Sequence, residues 1–242
     1  MIKKQMTAKF DTRFFLLTLF CVSFYLESNA LHSYAAENFC HSNKLIKMQT
    51  LVNEPVDHVC AASEKALRFL SRYGLQLLEP ITIEIIDEGI NSGGYIAFGS
   101  YDRQLDLIRI MSYSAILKNS SPQMYDQPFD MEHYLGAIAH EVAHAVYHQN
   151  SKKVVDQLTN ATQEYLAHAT QLGVLSAERR LQIIESSKVG SWESGDSISD
   201  TYMALNPTGF AVKSYLHLTG LQDPQPFIKI LLNNNWFYVS VP

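Results

Sequence analysis

The spacing of apolar residues changes several times along the chain, and each change predicts an element. Phe14 to Leu26 form a predominantly apolar run of thirteen residues. Val56, Val59, Cys60, Ser63, Ala66, Leu67 and Leu70 then recur at three- and four-residue intervals, with Gly74 behind them as a stop, which predicts an amphipathic helix over 55–73. From Pro80 the period drops to two. Ile81, Ile83 and Ile85 alternate with Thr82, Glu84 and Ile86, which is strand spacing. After Gly89 and Gly93-Gly94, segments 95–98 and 105–110 read as further strands, so at least three are expected between 81 and 110. Pro122 and Pro128 keep 112–130 from forming a long helix. Helical spacing returns over 131–149, 156–175 and 176–188, and the Ser-, Gly- and acid-rich stretch 190–200 reads as a loop. Asn206-Pro207 has the form of an N-cap followed by proline at the first helical position, opening a helix that ends near Gly220. Asp223-Pro224 repeats the device before Phe227 to Leu232.

The apolar run at the N-terminus changes the domain picture. Lys3, Lys4, Lys9 and Arg13 precede it, and small residues ending in Ala30 follow it, which is the layout of a secretory signal over 1–30. The run is shorter than the roughly twenty residues that a spanning helix needs, so no permanent membrane span is expected. Ser33 and Ala35 repeat the small-residue pattern of Ser28 and Ala30, leaving the cleavage position open. Removal of 1–30 leaves 212 of the 242 residues, enough for one substantial core over 31–242. It also takes four of the nineteen Lys and Arg and two of the twenty-four acids, so the formal charge falls from −5 to −7. An acidic chain without a basic cluster excludes nucleic acid as an expected partner. Cys40 and Cys60 remain once Cys21 is removed, and an even pair in an exported chain predicts a disulfide between the N-terminal segment and the first helix.

His140-Glu141-Val142-Ala143-His144 is the pattern His-Glu-x-x-His, inside a helical stretch whose apolar positions include Leu135, Ile138, Val142, Ala145 and Val146. Residues four apart share a helix face, so both imidazoles reach one cation and Glu141 approaches a water on it. Zinc accepts two imidazoles and a carboxylate with a fourth position left for water. The third ligand must come from elsewhere, and the residue types offer Glu164, His168 and His148. His148 continues the histidine stripe but lies at the helix end, where exposure is the commoner fate.

Glu164 lies twenty positions after His144, within Thr162-Gln163-Glu164-Tyr165-Leu166-Ala167-His168. Here the chain resembles the gluzincins, the thermolysin-like branch of the zincin metallopeptidases, in which a glutamate on the next long helix completes the zinc site. The resemblance covers roughly 95–175. It implies that His140, His144 and Glu164 ligate one Zn²⁺ and that Glu141 is the general base. It also implies an α+β fold in which a small twisted mixed sheet lies over the active-site helix, followed by a mostly helical C-terminal part, 151–242. Many thermolysin-like enzymes carry an aspartate one turn after the glutamate ligand, and this chain has His168 there. Three readings of His168 stand: a neutral partner orienting a ligand, a ligand in place of Glu164, or an ordinary helix residue. Asp196 and Asp200 are candidates to replace the missing aspartate. The metzincin branch is excluded, because Tyr147 and Asn150 stand where its extended motif has glycine and histidine.

The resemblance further implies that a downstream Tyr or His stabilises the oxyanion, and Tyr202, Tyr215 and His217 are the candidates, with Tyr202 preferred. It implies an extended peptide held along an edge strand, for which 93–98 is the candidate. The expected function is therefore a periplasmic or secreted zinc peptidase acting on a peptide or protein. The alternative is a zinc-binding, catalytically inactive peptidase-like module of the cell envelope. Intact Glu141 argues against that alternative, since zinc binding alone does not need its carboxylate.

Overall fold

The computed structural model describes residues 38–50, 56–92, 95–118, 121–151 and 160–233, without the side chains of Asn38, Ser92, Tyr95 and Ile96. The signal expected over 1–30 and the start of the helix expected over 156–175 lie outside the described residues. All the described residues fall within one compact unit, 35–242. No helix among them is long and apolar enough to cross a membrane.

Strands β1 (Asn38–Cys40), β2 (Asn43–Thr50), β3 (Ile81–Ile86), β6 (Gly99–Asp102) and β7 (Leu107–Met111) form one mixed sheet in the order β1-β2-β3-β7-β6. The two interior pairings, β2 with β3 and β3 with β7, are parallel, and the outer strands β1 and β6 run antiparallel to their neighbours. Helix α1 (Val56–Ser71) is the crossover between β2 and β3, as a parallel pair requires. β4 (Ile90–Ser92) and β5 (Tyr95–Ala97) make a separate hairpin. Among the described residues the sheet ends at Gly99–Asp102, and the expected edge at 93–98 is corrected: its residues Tyr95–Ala97 pair locally with β4, and Phe98 joins the sheet through its carbonyl, which accepts from the Met111 N–H at 2.9 Å.

The core follows from the period of two. Ile46 and Met48 of β2, Ile81, Ile83 and Ile85 of β3, and Ile108 and Ile110 of β7 are all buried. Each such side chain contributes about 1.5–3 kcal/mol by leaving water. They pack on α1 and on α3 (Met131–Asn150), which starts where the Asp130 carboxylate accepts the His133 N–H at 3.0 Å. α3 is buried nearly all round, by Tyr134, Ile138, Ala139, Val142, Ala143, Ala145, Val146 and Tyr147, which makes it the central helix of the molecule. Below it lie α4 (Asn160–Val174) and α7 (Pro207–Gly220), with α5 (Ala177–Ser187), α6 (Asp200–Leu205) and α8 (Gln225–Asn233) outside. Asn206 caps α7 through the Gly209 N–H, as its sequence predicts. The short α2 (Tyr113–Leu117) and the hairpin β8 (Gln123–Met124) and β9 (Gln127–Pro128) occupy 112–130. The fold is α+β, a small mixed sheet with a helical C-terminal half.

A disulfide joins Cys40 of β1 to Cys60 of α1, with Cα atoms 5.4 Å apart. It closes a loop of 20 residues, for which chain entropy gives about 3 kcal/mol. Replacing both cysteines with serine is expected to lower unfolding free energy by that order, read as a reduced urea midpoint against the oxidised protein.

His217 of α7 is buried against Tyr165 of α4, its Nδ1 lying 2.7 Å from the hydroxyl. Burial pushes its pKa down to about 4, below the roughly 6.5 of an unfolded histidine. The unfolded chain then binds the extra proton, so this contribution is whole above pH 6.5 and is lost as pH falls toward 4. His217→Gln is expected to remove on the order of 3 kcal/mol of the acid destabilisation in that window, measured as the difference in unfolding free energy between variant and wild type at pH 7 and pH 4.

Candidate metal centre

Two helices supply the site because each carries polar residues at whole-turn spacing on a face that meets the other. His140 and His144 occupy successive turns of α3, and Glu164, His168 and Gln171 occupy three turns of α4. Gly136 of α3 packs against the Gln171 side chain of α4, where an added Cβ would stand 3.3 Å from Gln171 Cγ. The imidazole Nε2 atoms of His140 and His144 lie 3.0 Å apart. Glu164 reaches both, with Oε2 3.2 Å from His140 and Oε1 3.5 Å from His144. His168 approaches the same carboxylate, its Nε2 3.6 Å from Oε2. His140, Glu164 and His168 each offer a ligand atom within 4.8 Å of the others. The structure thus brings together the three residues expected as ligands and adds His168 beside them.

The charges at the centre are mutually dependent. Burial works to raise the Glu164 carboxyl, but the imidazoles of His144 and His140 outweigh it and hold the group well below the usual carboxylate range. Burial likewise opposes a charged His140, yet the adjacent Glu164 carboxylate raises its pKa. His168 has no such net gain: burial and the neighbouring His140 push it down to about 3, so it is neutral. Glu141 is only 8% exposed, and burial raises its carboxyl against the pull of His140 and His144.

Each of the two histidines nearest Glu164 Oε2 is fixed from behind. His140 Nδ1 lies 3.0 Å from Gln171 Oε1, and the Gln171 amide nitrogen donates to the Met124 sulfur at 2.9 Å, which sets the amide's orientation. With the oxygen accepting, His140 Nδ1 carries the hydrogen and Nε2 faces Glu164. His168 Nδ1 lies 3.1 Å from the Tyr125 hydroxyl. Tyr125 reaches it from the two-residue loop of the β8–β9 hairpin, where Tyr125 and Asp126 both take positive φ, 54° and 59°. That is the φ pattern of a type I′ turn, in which Asn-Gly is usual and a bulky residue costs about 1–3 kcal/mol. The Thr208 hydroxyl at the start of α7 donates to Asp126 at 2.8 Å and helps hold the loop in that form.

The cluster lines a cleft of about 820 Å³ that also takes in Glu141, His148 and the outer strand β6. Other expected participants sit elsewhere. Tyr202 packs on Trp192, ring centroids 5.2 Å apart, and lines a different cavity. Tyr215 lies under the Arg180 guanidinium, and His217 is bonded to Tyr165. None of the three lines the cleft; among the described residues Tyr101 of β6 does, and its hydroxyl donates to Asp106 at 2.7 Å. Asp200 accepts from the Ala161 N–H at 2.6 Å, and Asp196 pairs with Lys213 at 3.1 Å, so neither orients a histidine of the cluster. His148 lines the cleft one turn beyond His144, with Nδ1 3.4 Å from the Tyr101 hydroxyl. Gln171 and Tyr125 are the residues that sequence reasoning missed. Gln171 had a signal, seven positions after Glu164 on the same helix face, whereas Tyr125 had none.

The chain belongs to DUF6639, a family of unknown function, whose model matches residues 46–241. No curated protein and no solved structure matches it.

Gln171→Ala is expected to weaken divalent-metal binding 10–100-fold, the usual consequence of removing a partner that orients a ligating histidine. Competition of the purified protein against a chromophoric zinc chelator measures it; an unchanged affinity would remove Gln171 from the centre.

Proposed function

We propose that this chain is a zinc-dependent peptidase of zincin-like architecture, with His140, His144 and Glu164 as ligands and Glu141 as general base. The observation that carries the reading is the convergence of those three donors from two helices while the Glu141 carboxylate stands in the same cleft, against its outer strand. The donors suit the ion. Two imidazoles and a carboxylate are a catalytic zinc set, and the two imidazole Nε2 atoms already converge to within 3.0 Å of each other. A zinc ion held there supplies a water acidified toward neutrality and a polarised substrate carbonyl. Glu141, its pKa raised by burial, takes the proton from the attacking water and passes it to the leaving amine. β6 has an antiparallel neighbour, β7, on one side. Its outer backbone groups are suited to an extended peptide, which β-strand addition would hold in register. The disulfide suits an oxidising compartment, in line with export to the periplasm or beyond.

One observation favours a second reading. His168 stands close enough to Glu164 and His140 to add a fourth protein donor, and a closed ligand set is the mark of a structural zinc site. In that case the chain is a zinc-binding module without turnover.

Zinc content and cleavage of casein or a peptide library decide between them. For the peptidase, Glu141→Gln keeps one zinc per chain and loses about 10²–10⁴-fold in turnover, while Glu164→Gln loses most of its zinc. Wild-type protein that binds zinc and cleaves nothing supports the module, and protein that takes up no zinc ends both readings.

A further inference from the structure

Gly99 opens β6, the outer strand of the cleft, and the space beside it is already taken. A Cβ placed on it would stand 2.7 Å from Glu141 Cγ, 2.8 Å from Glu141 Oε1 and 2.8 Å from Ile110 Cδ1. Real Cβ atoms essentially never come within 3.0 Å of another heavy atom in this way. The backbone does not ask for glycine here, because the positive-φ glycines among the described residues are Gly74 and Gly195. The requirement is purely one of room for the two side chains.

Neither neighbour has a cheap retreat. Ile110 is fully buried in the sheet, where its displacement would disturb Ile83 and Ile85 on the adjoining strand. Glu141 is held to α3 and is itself nearly buried, and the atom closest to an added Cβ is its Cγ rather than the end of the side chain, so the carboxylate would have to leave its present position in the cleft. We propose that Gly99 is a positioning residue for Glu141: the outer strand lacks a side chain at this one point so that the carboxylate rests against its backbone. The catalytic meaning of this contact rests on the peptidase reading, but the contact does not. A general base works within about 2.6–3.2 Å of the proton it takes, and a misplacement of about 1 Å costs on the order of 10²-fold. Because the atoms nearest an added Cβ belong to Glu141 and Ile110 and to no ligand, metal binding is spared while the base is moved.

The test uses Gly99→Ala, Ile110→Val and Glu141→Ala singly, with the doubles G99A/I110V and G99A/E141A, in the full purified protein. Zinc stoichiometry, melting temperature and steady-state constants on one peptide are read for each. G99A is expected to keep its zinc, to lose about 10–100-fold in kcat with KM within about twofold, and to melt about 3 °C or more below wild type. Shortening Ile110 relieves the packing clash alone, so G99A/I110V regains melting temperature but not kcat. In the Glu141→Ala background the melting loss caused by G99A falls by at least half. Recovery of both melting temperature and kcat in G99A/I110V, or an equal melting loss in both backgrounds, would overturn the proposal. If wild type cleaves no peptide, the peptidase reading has failed, and the paired melts still decide whether Gly99 makes room for Glu141.

Discussion

The Glu164 carboxylate lies within 3.2–3.6 Å of three imidazole nitrogens in the middle of the α3–α4 helix pair. A charge taken out of water there costs several kcal/mol unless it is paired, and its partners must arrive with their own supports. That requirement fixes the crossing of α3 and α4. Gly136 of α3 meets Leu175 and Gln171, where an added Cβ would lie 3.2 and 3.3 Å from side-chain carbons, so a methyl group there would require those side chains to shift, Gln171 among them. Gln171 must stay where it is for His140 to keep its hydrogen-bonded Nδ1, and the β8–β9 hairpin must hold its strained turn for Tyr125 to meet His168. The loop before α3, the packing of α4 and the N-terminus of α7 thus all bear on how one partly buried carboxylate is set among histidines.

What could be read in the sequence is what depends on short-range spacing. His140, Glu141 and His144 are four residues apart or fewer on one helix, and helical geometry alone brings them together. Asn206-Pro207 at α7 is equally local. Glu164 needed a resemblance, because twenty intervening residues carry no metric of their own. Tyr125 comes to His168 across 43 positions through a turn whose Tyr-Asp sequence does not advertise positive φ, so no pattern could have found it.

The strands divide in the same way. β3 shows a clean alternation of buried isoleucines because one of its faces is covered. β2, which pairs with it, carries no clear alternation: Leu45 and Ile46 are adjacent and set between lysines, and only its place beside β3 shows that Ile46 and Met48 are buried while Lys47 and Gln49 are not. β6 is harder still. All four of its residues are half-buried, since a strand that edges a cleft presents neither face to a core, and a search for alternation has nothing to detect. The strand closest to the proposed base was therefore the one least legible, and its position came only from the register Gly99 to Ile110.

The number of donors at the centre turns on a tautomer. Burial, reinforced by the Glu164 charge, pushes the Tyr125 hydroxyl well above its ordinary pKa, so it keeps its proton. Its hydrogen-bond partner is His168 Nδ1, and in the tautomer where the O–H donates that nitrogen is an acceptor, whereas in the other tautomer Nδ1–H donates to the phenol oxygen. In the first case the neutral imidazole, accepting at Nδ1, carries its hydrogen on Nε2, the atom that faces Glu164 Oε2. His168 then offers the carboxylate an N–H rather than offering a cation a lone pair. On the proposed reading this leaves three protein ligands and one open position beside Glu141, the arrangement that a hydrolytic centre needs and a structural one lacks. Tyr125, set in a strained turn on the far side of α4's histidine, would thus be what keeps the fourth position free.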